Sequence, residues 1–301
     1  MIGAYLWAFV TVGAAAAQTI RNAAQKGLTA EVGTWGATLV RFLFGLPFAV
    51  LFLLLASLVF GRLPPLPGFW AILWIGLGAL AQVLATALML QAMRLRSFVV
   101  ATAFTKTEPV LVLLFAVAFL AEVPTLVMVA GVVAATWGVA VLAWPPPTAS
   151  LVRRDTTMPA LLGTGAAALF ALAAVGYKGG IVTLAETPGF LEASTALVVA
   201  QTLQAVVMTL VLWQSQPGVV QAVCVRWRPS LLAGFMGALA SQLWFFAFAL
   251  TDVAAVRTLG LVEIFFAQLL ARRIFRETPT ICELAGLALL VVGLILVLQG
   301  V

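Results

Sequence analysis

Ten apolar runs, each near or above 20 residues, follow one another along the chain with short polar breaks between them. They cover approximately 2–22, 34–60, 68–93, 99–119, 124–144, 158–178, 193–213, 231–250, 253–275 and 279–298. About 20 apolar residues wound as a helix cross the hydrocarbon core of a bilayer, so each run predicts a transmembrane helix. The breaks carry turn chemistry: Gly61-Arg62-Leu63-Pro64-Pro65, Pro145-Pro146-Pro147, Pro188-Gly189 and Arg228-Pro229. Ser230 is the expected N-cap of the eighth run. The longest polar stretch, Pro145 to Thr157, is the expected joint, giving a first half at 1–145, a linker at 146–157 and a second half at 158–301.

A shift of about 155 positions lays the halves on each other. Glu108 falls on Glu263, Glu122 on Glu277, Pro124-Thr125 on Pro279-Thr280, Ala130-Gly131 on Ala285-Gly286, and Gly138 on Gly293. Two glutamates and a Pro-Thr pair in register are not readily a chance match. A weaker echo joins Gly78-Ala79-Leu80-Ala81 to Gly237-Ala238-Leu239-Ala240 at a slightly larger offset. Five spans per half is an odd number, so the second copy enters the membrane inverted relative to the first. The expected fold is therefore an all-α integral membrane protein of ten transmembrane helices, built as two inverted five-helix repeats.

Composition agrees: of 301 residues 64% are hydrophobic and 9% charged, and the mean hydropathy is +1.17. Soluble domains carry about 25% charged residues. The net charge of +6 sits in short connections between apolar runs, which points to membrane orientation rather than to nucleic acid. With no histidine, the commonest general base and metal ligand are absent, and no nucleotide-binding loop is present. Cys224 and Cys282 match no zinc or redox spacing. No enzyme activity, metal or cofactor is expected. The expected partners are a small-molecule solute and the lipid bilayer, with the chain working as a monomer.

Glu108-Pro109, Phe119-Leu120-Ala121-Glu122 followed by Pro124-Thr125, and the Gly286-x6-Gly293 helix resemble the EamA-type branch of the drug/metabolite transporter superfamily. The resemblance covers nearly the whole chain. It implies export of amino acids, related metabolites or drugs across a bacterial-type inner membrane, and it implies cytoplasmic termini. Local charge points the other way. Arg21, Lys26, Arg94, Arg96, Arg153, Arg154, Arg226, Arg228, Arg272, Arg273 and Arg276 follow odd-numbered spans, against Arg62 on the opposite side, with Lys178 and Arg257 near its edge. By the positive-inside rule both termini then face outward.

An ionisable side chain deep in a bilayer needs a partner or a wet cavity. Glu108 in span four and Glu263 in span nine are the first candidates for substrate or proton binding, with neutralisation by Lys106 or Arg257 as the structural alternative. Pro109 removes one hydrogen bond of span four and crowds the carbonyl of Thr105. Arg41 either snorkels to the interface or holds a substrate carboxylate. Gln18 and Asn22, four apart, share one face of span one. Gln82, Tyr177 with Lys178, and Gln242 with Trp244 complete the polar and aromatic candidates, each equally open to an interhelical role or, for Tyr177 and Trp244, to an interfacial belt. Glu122 and Glu277, ahead of Pro124 and Pro279, are expected to serve helix starts, and the glycine pairs close helix packing. The preferred reading is an exporter of amino acids or related small metabolites working by alternating access. Export of organic cations or drugs, or passive facilitation on the same scaffold, stays open.

Overall fold

The computed structural model describes residues 5–95, 105–142, 157–266 and 281–301. Apolar sequence with few internal breakers makes helices, and among the described residues there is no strand. In chain order these are α1 (Leu6–Leu43), α2 (Leu46–Phe60), α3 (Phe69–Leu95), α4 (Glu108–Phe115), α5 (Leu126–Leu142), α6 (Thr157–Val182), α7 (Phe190–Ser215), α8 (Pro217–Val225), α9 (Trp227–Leu250), α10 (Val253–Leu259) and α11 (Ile281–Gly300). A π turn, Ala116–Leu120, extends α4, and a 3-10 turn, Gly260–Val262, follows α10.

Among the described residues six stretches are long and apolar enough to cross a bilayer: Gly27–Phe60, Phe69–Met89, Ala160–Val182, Phe190–Ser215, Trp227–Leu250 and Cys282–Gly300. Glu108–Leu120 and Leu126–Leu142 are shorter apolar helices. Leu58, Val59, Trp70, Trp137 and Leu161 all present most of their side-chain surface outward. Such a surface is untenable in water and suits lipid.

The first two spans depart from expectation. The helix expected to stop near residue 22 runs on to residue 32, and the chain turns at Gly33, whose φ of 71° and ψ of 175° interrupt α1. That conformation is essentially restricted to glycine. Gln25 Nε2 donates to the Ala37 carbonyl at 2.8 Å, tying the two sides of the turn together. The second expected span is itself interrupted at Phe44-Gly45, and α2 restarts with Pro47 in its first turn. A Cβ on Gly45 would collide with the amide of Gln201, so glycine here makes room for that side chain. Ser230 is not a cap: α9 starts earlier, at Trp227, and Ser230 Oγ donates to the Arg226 carbonyl from inside the first turn. The expected linker falls almost wholly at 143–156, outside the described residues, as do Glu277, Pro279 and Thr280.

The contacts group the chain into two units that each draw on both halves of the sequence. The first comprises Met1–Leu80, Gly176–Thr251 and Val262–Leu269. Within it α1 packs along α9, and α2 lies against α7. The glycine echo marks tight crossings here. A Cβ on Gly176 would fall 2.8 Å from Gly78 N, and one on Gly237 would fall 3.2 Å from Arg41 Cγ. Phe48 and Phe52 pack edge-on against Phe235, joining α2 to α9.

The second unit comprises Ala81–Val175, Asp252–Leu261 and Leu270–Val301. Its core is the seam between α5 and α11. A Cβ on Gly131 would meet Gly293 O at 2.8 Å, and one on Gly138 would meet Gly286 O at 2.8 Å. Both helix backbones therefore approach at the four glycines, as small-residue interfaces in lipid do. Thr125 Oγ1 donates to Gly300 O at 2.9 Å at one end of the seam. The Glu122 carboxylate accepts from Val253 N at 3.2 Å. It thus serves the start of α10, where Asp252 at the N-cap makes no side-chain cap bond.

Candidate functional site

The two repeated glutamates stand at interrupted helices. In span four, residue 105 is helical, 106–107 form a turn, and α4 begins at Glu108 with Pro109 in its first turn. Proline has no N–H to give to the preceding turn, so the ladder must break where it does. In span nine α10 gives way to the 3-10 turn Gly260–Val262, and residues 263–266 are helical again from Glu263. This second break has no proline. Each glutamate begins a new α-helical stretch.

Their surroundings differ. Glu108 belongs to the second unit and faces Arg257 of α10: Arg257 Nε donates to Glu108 Oε1 at 2.8 Å and Nη2 to the same oxygen. The two side chains are only 14% and 20% exposed, so the pair is held largely out of solvent. Lys106 lies half-buried in the turn just before Glu108 and is also engaged. Gln82 is half-buried on α3, where its carbonyl accepts from Thr86 Oγ1.

Glu263 belongs to the first unit and takes part in a relay of neutral donors. Trp244 Nε1 donates to Gln18 Oε1 at 3.2 Å, and Gln18 Nε2 donates to Glu263 Oε2 at 2.6 Å. The amide thus transmits the orientation of a buried indole to a carboxylate. Trp244 and Tyr177 are 6% and 3% exposed, so neither belongs to an interfacial belt. The Tyr177 hydroxyl accepts from Gln204 Nε2 at 2.9 Å, and its ring packs on Phe245 with centroids 4.5 Å apart. Lys178 Nζ donates to the carbonyls of Phe248 and Thr251, satisfying the end of α9. Gln242 is buried, and neither of its amide atoms has a hydrogen-bond partner among the described residues. Such a group is costly in an apolar interior.

Arg41 is half-buried, its stem against Gly237 and its guanidinium 5.2 Å from the Phe42 ring centroid. Asn22 is exposed and shares the α1 face of Gln18, but its Oδ1 accepts from Arg21 rather than joining the Glu263 relay. Arg21 corrects the charge count. It was expected in a connection, yet α1 continues past it and it is 6% exposed. The helix end assigned near residue 22 concealed it. Its only sequence signal is the three-residue spacing from Gln18. Among the described residues no three potential metal ligands gather.

Residues 2–144 match the EamA-like transporter family. With its long apolar helices, the chain is a multi-pass membrane protein, and its first half is similar to that transporter family. No curated protein matches it. Among solved structures 28 chains match. One, described as "Crystal structure of protein", is 17% identical with a TM-score of 0.69, over 97% of this chain and 96% of that one. At that identity the likeness shows the fold alone.

Proposed function

We propose that this protein is a secondary transporter exporting amino acids or related small metabolites by alternating access, a monomer in a bacterial-type inner membrane. Its ten spans form two inverted five-helix repeats, 1–145 and 158–301, joined by 146–157. The glycine seam supports the inversion. Exchanging the halves maps the Gly131–Gly293 contact onto the Gly286–Gly138 contact, and the pairing runs antiparallel along α5 and α11. A relation of that kind is what an inverted duplication leaves behind.

The observation that carries the function is the interruption of both spans at the repeated glutamates. Irregular backbone at membrane depth survives where it is buried in protein or lines a watery path. A carboxylate there costs about 2.5–3.5 kcal/mol on insertion scales, a cost that use in binding or proton transfer accounts for. Glu263, held by Gln18 and Trp244, is the group that meets solute or proton; Glu108 with Arg257 fixes the second break. Tyr177, Gln82, Lys106, Asn22, Arg41 and Gln242 are the further candidates for lining the path.

Purified protein in proteoliposomes, preloaded with unlabelled amino acids, tests this through counterflow of labelled ones. Saturable, transient accumulation above equilibrium is expected. Accumulation of organic cations instead would move the substrate class, whereas non-saturating equilibration would mark a passive facilitator.

A further inference from the structure

Phe52, Leu55, Ala56, Val59 and Phe60 recur at the spacing of one helix face, so α2 carries a continuous apolar stripe. Along its length that stripe borders a cavity of about 410 Å³. Phe190 of α7 and Phe246 of α9 line the other side, and their rings meet edge-on with centroids 5.1 Å apart, which ties α7 to α9 there. Every lining side chain is apolar, so the groove offers no side-chain donor or acceptor to a polar solute, and none of these residues belongs to the Glu263 relay.

The groove opens on the lipid face. Val59 and its neighbour Leu58 are 79% and 78% exposed. From Phe52 to Phe60 it follows α2 for about 12 Å. One leaflet contributes about 15 Å to a hydrocarbon core of about 30 Å. The apolar span also ends at Phe60, so the groove covers most of one leaflet and finishes at headgroup level.

A cation is fixed at that end. Gly61 closes α2 in the left-handed conformation, Arg62 N donates to the Ser57 carbonyl, and Ser57 Oγ donates to the Arg62 carbonyl at 2.6 Å. Arg62 Nη2 stands 3.7 Å from Glu192 Oε1 in the first turn of α7, two residues after Phe190. That contact places the guanidinium itself beside the end of the groove that Phe60 and Phe190 border. It is longer than a hydrogen bond, and the Arg62 side chain is 65% exposed, so its fork is open to a further acceptor. Glu192 is buried, and its other oxygen accepts from Gly189 N at 2.8 Å. The carboxylate is held in place and orients the arginine.

We propose that this groove is a phospholipid site, with one acyl chain along α2 and the lipid phosphate on Arg62. An apolar channel of one leaflet's depth with a cation at its headgroup end has the charge and polarity profile of that lipid. The planar fork of arginine suits two phosphate oxygens. The chain would fill the space between α2 and the joined α7 and α9, a site apart from the transported solute.

The test uses the purified full chain in maltoside micelles, which supply no phosphate. The probes are phosphatidylglycerol and diacylglycerol with identical acyl chains, each carrying a photoactivatable diazirine midway along one chain. Native mass spectrometry reads binding, and mapped crosslinks read its place. Phosphatidylglycerol is expected to bind at least tenfold more tightly than diacylglycerol, with crosslinks concentrated at residues 52–60, Phe190 and Phe246. Arg62→Gln is expected to remove most of that preference and Arg62→Lys to restore part of it. Val59→Trp, which puts a large ring into the opening, is expected to remove the crosslinks. Equal binding of the two probes overturns the proposal, as do crosslinks spread evenly over the lipid-facing helices, the mark of ordinary surrounding lipid. An Arg62→Gln protein that melts like the wild type and keeps its preference also overturns it. So does a dimer crosslinked through residues 52–60, which would make a second copy the occupant. If Arg62→Gln does not fold, the wild-type preference and the crosslink map still decide.

Discussion

Glu108 and Glu263 occupy equivalent places in the repeat and both start a helical stretch, but the contacts described for them differ. Glu108 pairs with the Arg257 guanidinium, and Glu263 accepts from the Gln18 amide. Protonating Glu108 would leave the Arg257 charge buried beside a neutral acid. Protonating Glu263 leaves its bond from Gln18 possible, because a carboxylic acid still offers a carbonyl oxygen to an N–H donor. On the proposed reading the two acids divide the work: Glu108 with Arg257 ties a break in the membrane, and Glu263 meets solute or proton.

The largest expected effect separates them directly. Glu108→Gln should destabilise the protein by about 3–5 kcal/mol, the usual result of orphaning one member of a buried pair. Thermal melting in detergent checks it, and the double variant Glu108→Gln with Arg257→Gln should recover much of the loss. A next effect, of about 1–3 kcal/mol, is expected from Gly33→Ala, which forces a side chain into a backbone region reserved for glycine. Because that turn also brings Arg41 onto α9, transport should fall with stability; unchanged melting would show that α1 does not need the turn. Gln18→Leu should cost about 1 kcal/mol or less in stability, the worth of a hydrogen bond, while lowering transport far more. Equal losses in both would make Gln18 merely structural. The smallest effect is a gain. Ala121 ends the π turn at φ 54°, so Ala121→Gly should raise the melting temperature slightly, corresponding to at most about 1 kcal/mol.

Much of this was legible in sequence, for particular reasons. The repeat located both glutamates because charged residues are scarce in apolar runs and their register survives duplication. The glycine seam was legible because close helix approach in lipid demands small residues at fixed spacing. Pro109 announced the break in span four. The break in span nine was not legible: a 3-10 turn at Gly260–Val262 needs no proline, and Ile264 stands where proline would mark it. The burial of Arg21 was hidden by a helix end placed near residue 22, since the residues between the first two expected spans, 23–33, read as a connection while forming helix up to Gly33. The partners of Glu108 and Glu263 depend on packing across distant parts of the chain, which no local pattern encodes.

The division of labour between the two acids is tested most directly by amino-acid counterflow in proteoliposomes of Glu263→Gln beside the double variant Glu108→Gln with Arg257→Gln, each confirmed folded by melting. The account predicts that Glu263→Gln, though stable, loses at least tenfold in rate and any dependence on pH, while the double variant keeps most of both. The reverse pattern, with Glu263→Gln fully active and the double variant silent, would contradict it.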